Sequence, residues 1–587
     1  MGCSDSSFIK DKKSPKVIKA ATIIQNWYRG YSARLKARQR HALTVFQSIE
    51  YADEQSQMQL SNFFSFMLEN YTDEREEDPE LIARLFGCNL PDTREDYVKM
   101  IDVPDSYDGP RLQFPLTFTD IESLIEGFKQ QKILHPHYVL AVLFEAKKVL
   151  MQMPNISHIS TLLSKEITVC GDLHGKLDDL FLIFYKNGVP SNENPYVFNG
   201  DFVDRGKNSI EVLMILLASL LVYPNDLHLN RGNHEDFLMN LRYGFTKEIM
   251  QKYRVYGNEI LKILEDVYTW LPIATIVDND ILIIHGGLSE STDLNLLHRI
   301  ERNKMKSVLM PPIPSDGDSA IDLKITKVGS EKIKTSVSLS DQLLQHEWEQ
   351  VITIFSASNY YEDGSNRGAY LRLSFNTLPK IFQYQVTKAT HIRPLYQRVN
   401  TVEGSAIRML KERIIARKTD LVHAFELYDR NKSGKLSLSQ WAFSMESVLE
   451  LNLPWRSLST RLVLTDRDGN VDYMSSFQNI RIQKPVKEVH STLIETLYRY
   501  RSDLHIIFNI IDTDHSGMIS MEEFRTMWKL FKMHYGVPVD DSEVDELANK
   551  MDLNKDGSID FNEFLKAFHV VHRFDPSRKS NKPVVQE

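Results

Sequence analysis

Asp172, His174, Asp201, Asn233 and His285 are side chains that divalent cations accept as ligands, offering carboxylate, imidazole and amide oxygen. They stand in Gly171-Asp172-Leu173-His174-Gly175, Gly200-Asp201-Phe202-Val203-Asp204-Arg205-Gly206, Gly232-Asn233-His234-Glu235 and His285-Gly286-Gly287. A carboxylate shared by two such ions would hold them about 3.5 to 4 Å apart, a separation suited to in-line displacement at phosphorus. Asp201 is the candidate bridge. Any one of these stretches alone would be an ordinary polar turn between glycines. Their succession in one chain, each behind a run of β-branched or aromatic residues, makes that reading improbable.

Those runs are Ile167 to Cys170, Tyr196 to Phe198, Leu227 to Leu229 and Ile281 to Ile284, and each reads as a buried strand. Helices are predicted over Leu177 to Lys186 and Ser209 to Leu221, and a helical stretch over Phe118 to Leu150. Strands alternating with helices predict an α/β domain that delivers ligands from strand ends.

With Ser356-Ala357-Ser358-Asn359-Tyr360, these segments resemble the metal-dependent phosphoprotein phosphatase family of serine/threonine phosphatases, in particular the EF-hand members of the retinal degeneration C type. The resemblance implies a two-sheet sandwich flanked by helices, and Tyr360 as a site-lining residue. A water on such a metal pair has its pKa lowered towards about 7 and can attack the phosphorus of phosphoserine or phosphothreonine. Manganese, iron or zinc would suit the ligands. His234 is the candidate general acid for the leaving alkoxide, Asp204 its orienting partner, and Arg205 a fork for phosphate oxygens. A nucleotide phosphoesterase is a weaker alternative, against which Asp204-Arg205-Gly206 and the Asn359-Tyr360 segment argue.

The chain departs from the family between His285 and Asn359. The Trp-Ser-Asp-Pro turn, the Gly-rich turn with its arginine, and the Arg-x-His segment that completes the second metal are all missing. A polar stretch from Pro311 to Leu344 runs instead into His346-Glu347-Trp348-Glu349-Gln350 and a strand expected over Val351 to Phe355. The junction reads as an excision of the kind alternative splicing gives. One metal then keeps Asp172, His174 and Asp201; the other keeps Asp201, Asn233 and His285 but loses its last ligand. Impaired catalysis is expected, with an exposed sheet edge or apolar surface. The rival expectation is a catalytically deficient calcium- and calmodulin-binding adaptor.

Calcium ligands are expected at the C-terminal end. Asp512, Asp514, Ser516, the Met518 carbonyl and Glu523 surround Gly517; Asp552, Asn554, Asp556, the Ser558 carbonyl and Glu563 surround Gly557. Ile519 and Ile559 are placed for a short β-bridge between these EF-hand loops. An earlier loop from Asp429 has Gln440 at its twelfth position, and a remnant around Asp466 has Leu464 first and Ser475 last. The former should bind poorly and the latter serve as its structural partner.

At the other end, Ile24, Gln25, Arg29, Gly30 and Arg34 resemble an IQ motif, which implies calmodulin as partner. Ile24, Tyr28, Tyr31 and Leu35 share a helical face bordered by basic residues. Gly2 fits the myristoylation pattern, and Cys3 with nearby lysines could supply a second membrane signal, so reversible membrane contact is an expectation beside that of a solvated tail.

The 587 residues imply several domains. The expected divisions are 1–20 (acylatable basic tail), 21–42 (IQ helix), 43–115 (helical connector with no chemistry assigned), 116–400 (phosphatase), 401–575 (EF-hand module) and 576–587 (tail). The fold class is thus an internally truncated α/β metallophosphatase sandwich, an all-α EF-hand module and an N-terminal IQ helix. A net charge of −9 argues against wholesale nucleic-acid binding. Three cysteines suit a reducing, cytoplasmic setting without a disulfide framework.

Overall fold

The computed structural model describes residues 15–71, 98–288, 292–309, 351–375, 377–387 and 395–477, with Asp545 and short strands at 481–482, 518–520, 558–560 and 570–571. The lipidation residues Gly2 and Cys3 lie outside the described residues, as do Asp512, Asp514, Ser516, Glu523, Asp552, Asn554, Asp556 and Glu563.

Two sheets form the catalytic domain. Strands β1 (Ile156–Ile159), β5 (Ala274–Val277) and β6 (Ile281–Ile284) make one, in the order β1-β5-β6. The other comprises β2 (Glu166–Cys170), β3 (Tyr196–Phe198), β4 (Leu227–Leu229), β7 (Gly368–Ser374) and β8 (Lys380–Tyr384), in the order β4-β3-β2-β7-β8. Alternation along the strands builds the sandwich. Ile167, Val169, Val197, Leu371 and Leu373 meet Val277 and Ile283 between the sheets, whereas Cys170, Tyr196, Phe198 and Tyr370 face the helices. Those helices include α2 (Phe118–Lys129), α3 (Pro136–Gln152), α4 (Leu177–Asn187), α5 (Ser209–Val222), α6 (Phe237–Tyr243), α7 (Phe245–Tyr253) and α8 (Gly257–Thr269). α5 is apolar nearly all round and is correspondingly buried. Among the described residues, no helix is long and apolar enough to cross a membrane.

β2, β3 and β4 are parallel, joined through α4 and α5, so their C-terminal ends share one edge. The first three ligand-bearing loops leave from that edge, and the fourth leaves β6 of the facing sheet. This is where the predicted strand ends had to meet.

One expectation about an element is refined and another is corrected. The stretch from Phe118 to Leu150 is two helices, because the chain leaves helical geometry after Lys129 and restarts where His135 accepts from the His137 N–H ahead of Pro136. Val351 to Phe355 is no strand: a single bridge joins Phe355 to Asp172, and Val351 is 72% exposed. β6 has β5 as its neighbour and ends its sheet, with Ile281 exposed.

The N-terminal segment is one helix, α1 (Pro15–Tyr71), running through the expected division at residue 42 without a break. Its Ala42, Val45, Phe46 and Ile49 pack with Val402, Ala406, Leu410 and Ile414 of α9 (Leu395–Ala416). The same core takes in Trp441 and Met445 of α11 (Leu438–Leu449), which follows α10 (Lys418–Glu426) and precedes α12 (Trp455–Leu462). The first EF-like loop and its remnant partner pair through Lys435–Ser437 and Asn470–Asp472, as expected of a structural couple. Gln440 does not stand free to ligate: its Oε1 accepts from the Ser437 N–H and hydroxyl in a capping box. Met518–Ser520 and Ser558–Asp560 are antiparallel strands with Ile519 opposite Ile559, the bridge read from the sequence.

Candidate active site

Asp201 lies between two imidazoles. Its Oδ2 is 3.6 Å from His174 Nε2 and its Oδ1 is 3.4 Å from His285 Nε2. Asp172 Oδ2 is 4.0 Å from His174 Nε2, and Asn233 Oδ1 is 2.9 Å from His285 Nε2. All five predicted ligands therefore converge, on both sides of Asp201. Of these, His174 and Asp201 form with His234 a buried group whose potential ligand atoms lie within 4.8 Å of one another.

The ligands are aimed by their second contacts. His174 Nδ1 is spent on the Val203 carbonyl at 2.9 Å and His285 Nδ1 on that of Asn199 at 2.7 Å, which leaves both Nε2 atoms facing Asp201. An oxygen and nitrogen donor set with such outer partners fits divalent cations, and Asp172, His174, Asp201, Asn233 and His285 are the residues that would hold them.

Glycines permit the close approach of these loops. A Cβ on Gly200 would stand 2.6 Å from Gly232 Cα and 2.9 Å from His285 Nδ1. His174, Asp201, Asp204, Arg205 and Asn359 all have positive φ, so the site concentrates backbone strain that the surrounding hydrogen bonds must hold.

Much of that holding falls to residues the sequence reading left unassigned. The buried Glu235 carboxylate accepts from the N–H groups of Asp201 (2.8 Å), Phe202 (2.8 Å) and Gly232 (2.9 Å), pinning one loop to another. Asp179 accepts from the Ser358 N–H at 2.8 Å and its hydroxyl at 2.6 Å, anchoring the segment that carries Tyr360. Glu235 adjoins His234, a usable signal; Asp179 on α4 gave none.

His234 Nδ1 lies 2.8 Å from Asp204 Oδ2, and Asp204 also accepts from Asn240 Nδ2 and the Phe245 N–H, both at 2.9 Å. The two side chains are in contact and buried. Arg205 lies over Tyr243 with 4.3 Å to the ring centroid and near Tyr360 at 5.3 Å. Tyr360 in turn lies 5.2 Å from the His174 ring, on the site.

Electrostatics follow from packing these groups together. Burial opposes ionisation of Asp201, but the imidazoles of His285, His234 and His174 hold its carboxyl down at about 2. Burial likewise works against a proton on His285, yet Asp201 and Asp172 raise that imidazole to about 9. Burial raises Asp172 to about 7, aided by the Asp201 charge against the pull of His285. His234 is raised as Asp201 and Asp204 outweigh its burial.

At the IQ face, Ile24 and Tyr28 are exposed, whereas Leu35 is packed. Gln25, Arg29, Gly30 and Arg34 share this part of α1.

Comparison with known proteins places matches along the same architecture. The calcineurin-like phosphoesterase family matches residues 165–327, an EF-hand domain pair 501–569, an EF hand 421–439 and the IQ calmodulin-binding motif 18–38. The PPP5 TPR repeat region matches 90–158, a likeness the sequence reading did not draw. Serine/threonine-protein phosphatase with EF-hands 1 of Homo sapiens is 63% identical over 648 aligned residues, covering 99% of each chain. Its counterpart numbered 2 in Homo sapiens is 40% identical, covering 98% of this chain and 96% of the relative. The rdgC phosphatase of Drosophila melanogaster is 37% identical over 95% and 90% respectively.

Proposed function

The chain belongs to the serine/threonine-protein phosphatases with EF-hands and is by family a protein phosphatase, and from that premise we propose that it acts on phosphoserine and phosphothreonine at a dinuclear centre. The observation that carries this reading is Asp201 between His174 and His285, with the His234–Asp204 pair alongside. Divalent cations held by Asp172, His174 and Asp201 and by Asp201, Asn233 and His285 would supply Lewis acidity, lowering the pKa of water and offsetting phosphate charge.

The chain's own residues do the rest. Arg205, steadied by Tyr243 and Tyr360, binds and orients two phosphate oxygens. With Nδ1 committed to Asp204, His234 holds its transferable proton at Nε2 and gives it to the departing serine or threonine oxygen. Asp204 keeps that ring in orientation and offsets the imidazolium charge.

We further propose that activity is reduced by an internal segment missing beside the second metal. The 648 aligned positions with the human relative exceed the 587 residues available, so that alignment carries gaps in this chain. The same feature favours a second reading, a calcium- and calmodulin-responsive adaptor without competent chemistry. Calcium at the two complete EF-hand loops, calmodulin at the IQ helix, cytoplasmic residence, and reversible membrane contact through Gly2 and Cys3 belong to this proposal.

The test compares the chain with a form carrying the human relative's extra segment, measuring manganese content and phosphopeptide turnover. Metal in both with faster turnover by the longer form is expected. Equal turnover would remove the impairment, and metal-free protein inert in both forms would favour the adaptor. Fractionation of Gly2→Ala against wild type tests the membrane contact; identical distributions would sink it.

A further inference from the structure

Glu50, on the part of α1 to which the sequence suggested no chemistry, reaches into the cleft. Its Oε1 lies 2.8 Å from Arg205 Nη2 and accepts from the Tyr360 hydroxyl at 3.0 Å, while its Oε2 accepts from the Tyr361 hydroxyl. A guanidinium and two phenols thus converge on one carboxylate. Arg205 is the residue expected to grip substrate phosphate, and Tyr360 packs near the His174 ring.

We propose that Glu50 is an internal competitor for the anion site of the cleft, a carboxylate held where a phosphate would bind and displaced when phosphate enters. This deepens the proposed phosphatase reading and rests on it. A carboxylate that takes a guanidinium N–H and two phenol hydroxyls offers those donors the same anionic oxygens as a phosphate would.

The contact is built. α1 is fastened ahead of Glu50, where Gln39 Nε2 donates to the Gly364 carbonyl at 2.7 Å and Phe46 stacks on Tyr361 with centroids 4.5 Å apart. Arg38 pairs with Glu403, and Asp53 with Arg413, both partners on α9. Ile49, beside Glu50, is buried in the core shared with α9. The helix thereby sets Glu50 over the cleft at high effective concentration, and an incoming phosphate must outcompete a tethered ligand.

The experiment titrates the full-length chain, loaded with manganese, with inorganic phosphate by calorimetry. Wild type is compared with Glu50→Gln and with Asp280→Asn, which removes the same charge from the exposed turn between β5 and β6, at the end of β6 opposite His285. Thermal unfolding checks that each variant is folded. Glu50→Gln should tighten phosphate binding about tenfold or more, and Asp280→Asn should leave it unchanged. Equal affinity in wild type and Glu50→Gln, or equal tightening by both variants, would overturn the competitor. Phosphate bound by none of the three would overturn the phosphatase reading, and the competitor with it.

Discussion

Asp172 and His285 each hold a proton that a cation must displace. Metal ligation needs the carboxylate and the neutral imidazole, while packing sets these groups at about 7 and about 9. Below about pH 7 both are protonated in the metal-free site; by about pH 9 Asp172 is ionised and His285 is half-neutral. Manganese affinity should therefore climb between about pH 6 and 9, and calorimetry in buffers of differing ionisation enthalpy should detect released protons. A flat profile would mean that the cluster does not receive the metal. Asp179 offers a separate test at this scale. Asp179→Ala would leave the Ser358 N–H and hydroxyl without their acceptor in a buried setting, at a cost of about 1–3 kcal/mol measured by denaturant unfolding.

Gly232 shows how the loops act as one piece. A Cβ there would run into the Asp201 backbone nitrogen and stand 2.7 Å from Glu235 Oε2, the oxygen that ties the two loops together. Gly232→Ala should weaken manganese binding at least about tenfold while far-ultraviolet dichroism stays native, because the clash falls on ligand placement and not on the sheets. At this same scale the sequence was readable where strands are short, apolar and buried: β2, β3, β4 and β6 lie where their β-branched runs predicted. It misled at Val351 to Phe355, where composition suits a strand but only one bridge forms. Strand pairing depends on a neighbour in register, which residue types alone do not supply.

α1 links the whole molecule: one helix carries the IQ residues, the face buried against α9, and Glu50 at the cleft. Its early turns remain open, with Ile24 at 64% exposure. Ile24→Arg should therefore lower calmodulin affinity by about tenfold or more, through loss of an apolar anchor, without moving the unfolding midpoint. Unchanged affinity in a pull-down or titration would take the IQ face out of the partner's footprint.

Sequence alone singled out the candidate ligands, the strand ends that carry them, the His234–Asp204 pair and the Ile519–Ile559 bridge. Each of these is written in local chemistry: a donor set, a glycine-bounded turn, an apolar run, a loop spacing. Only the tertiary structure decided that Glu235 and Asp179 secure the loops and that Glu50 meets Arg205. Those contacts join residues far apart in the chain through sheet pairing and helix docking, and no local pattern announces a partner that folding alone brings near.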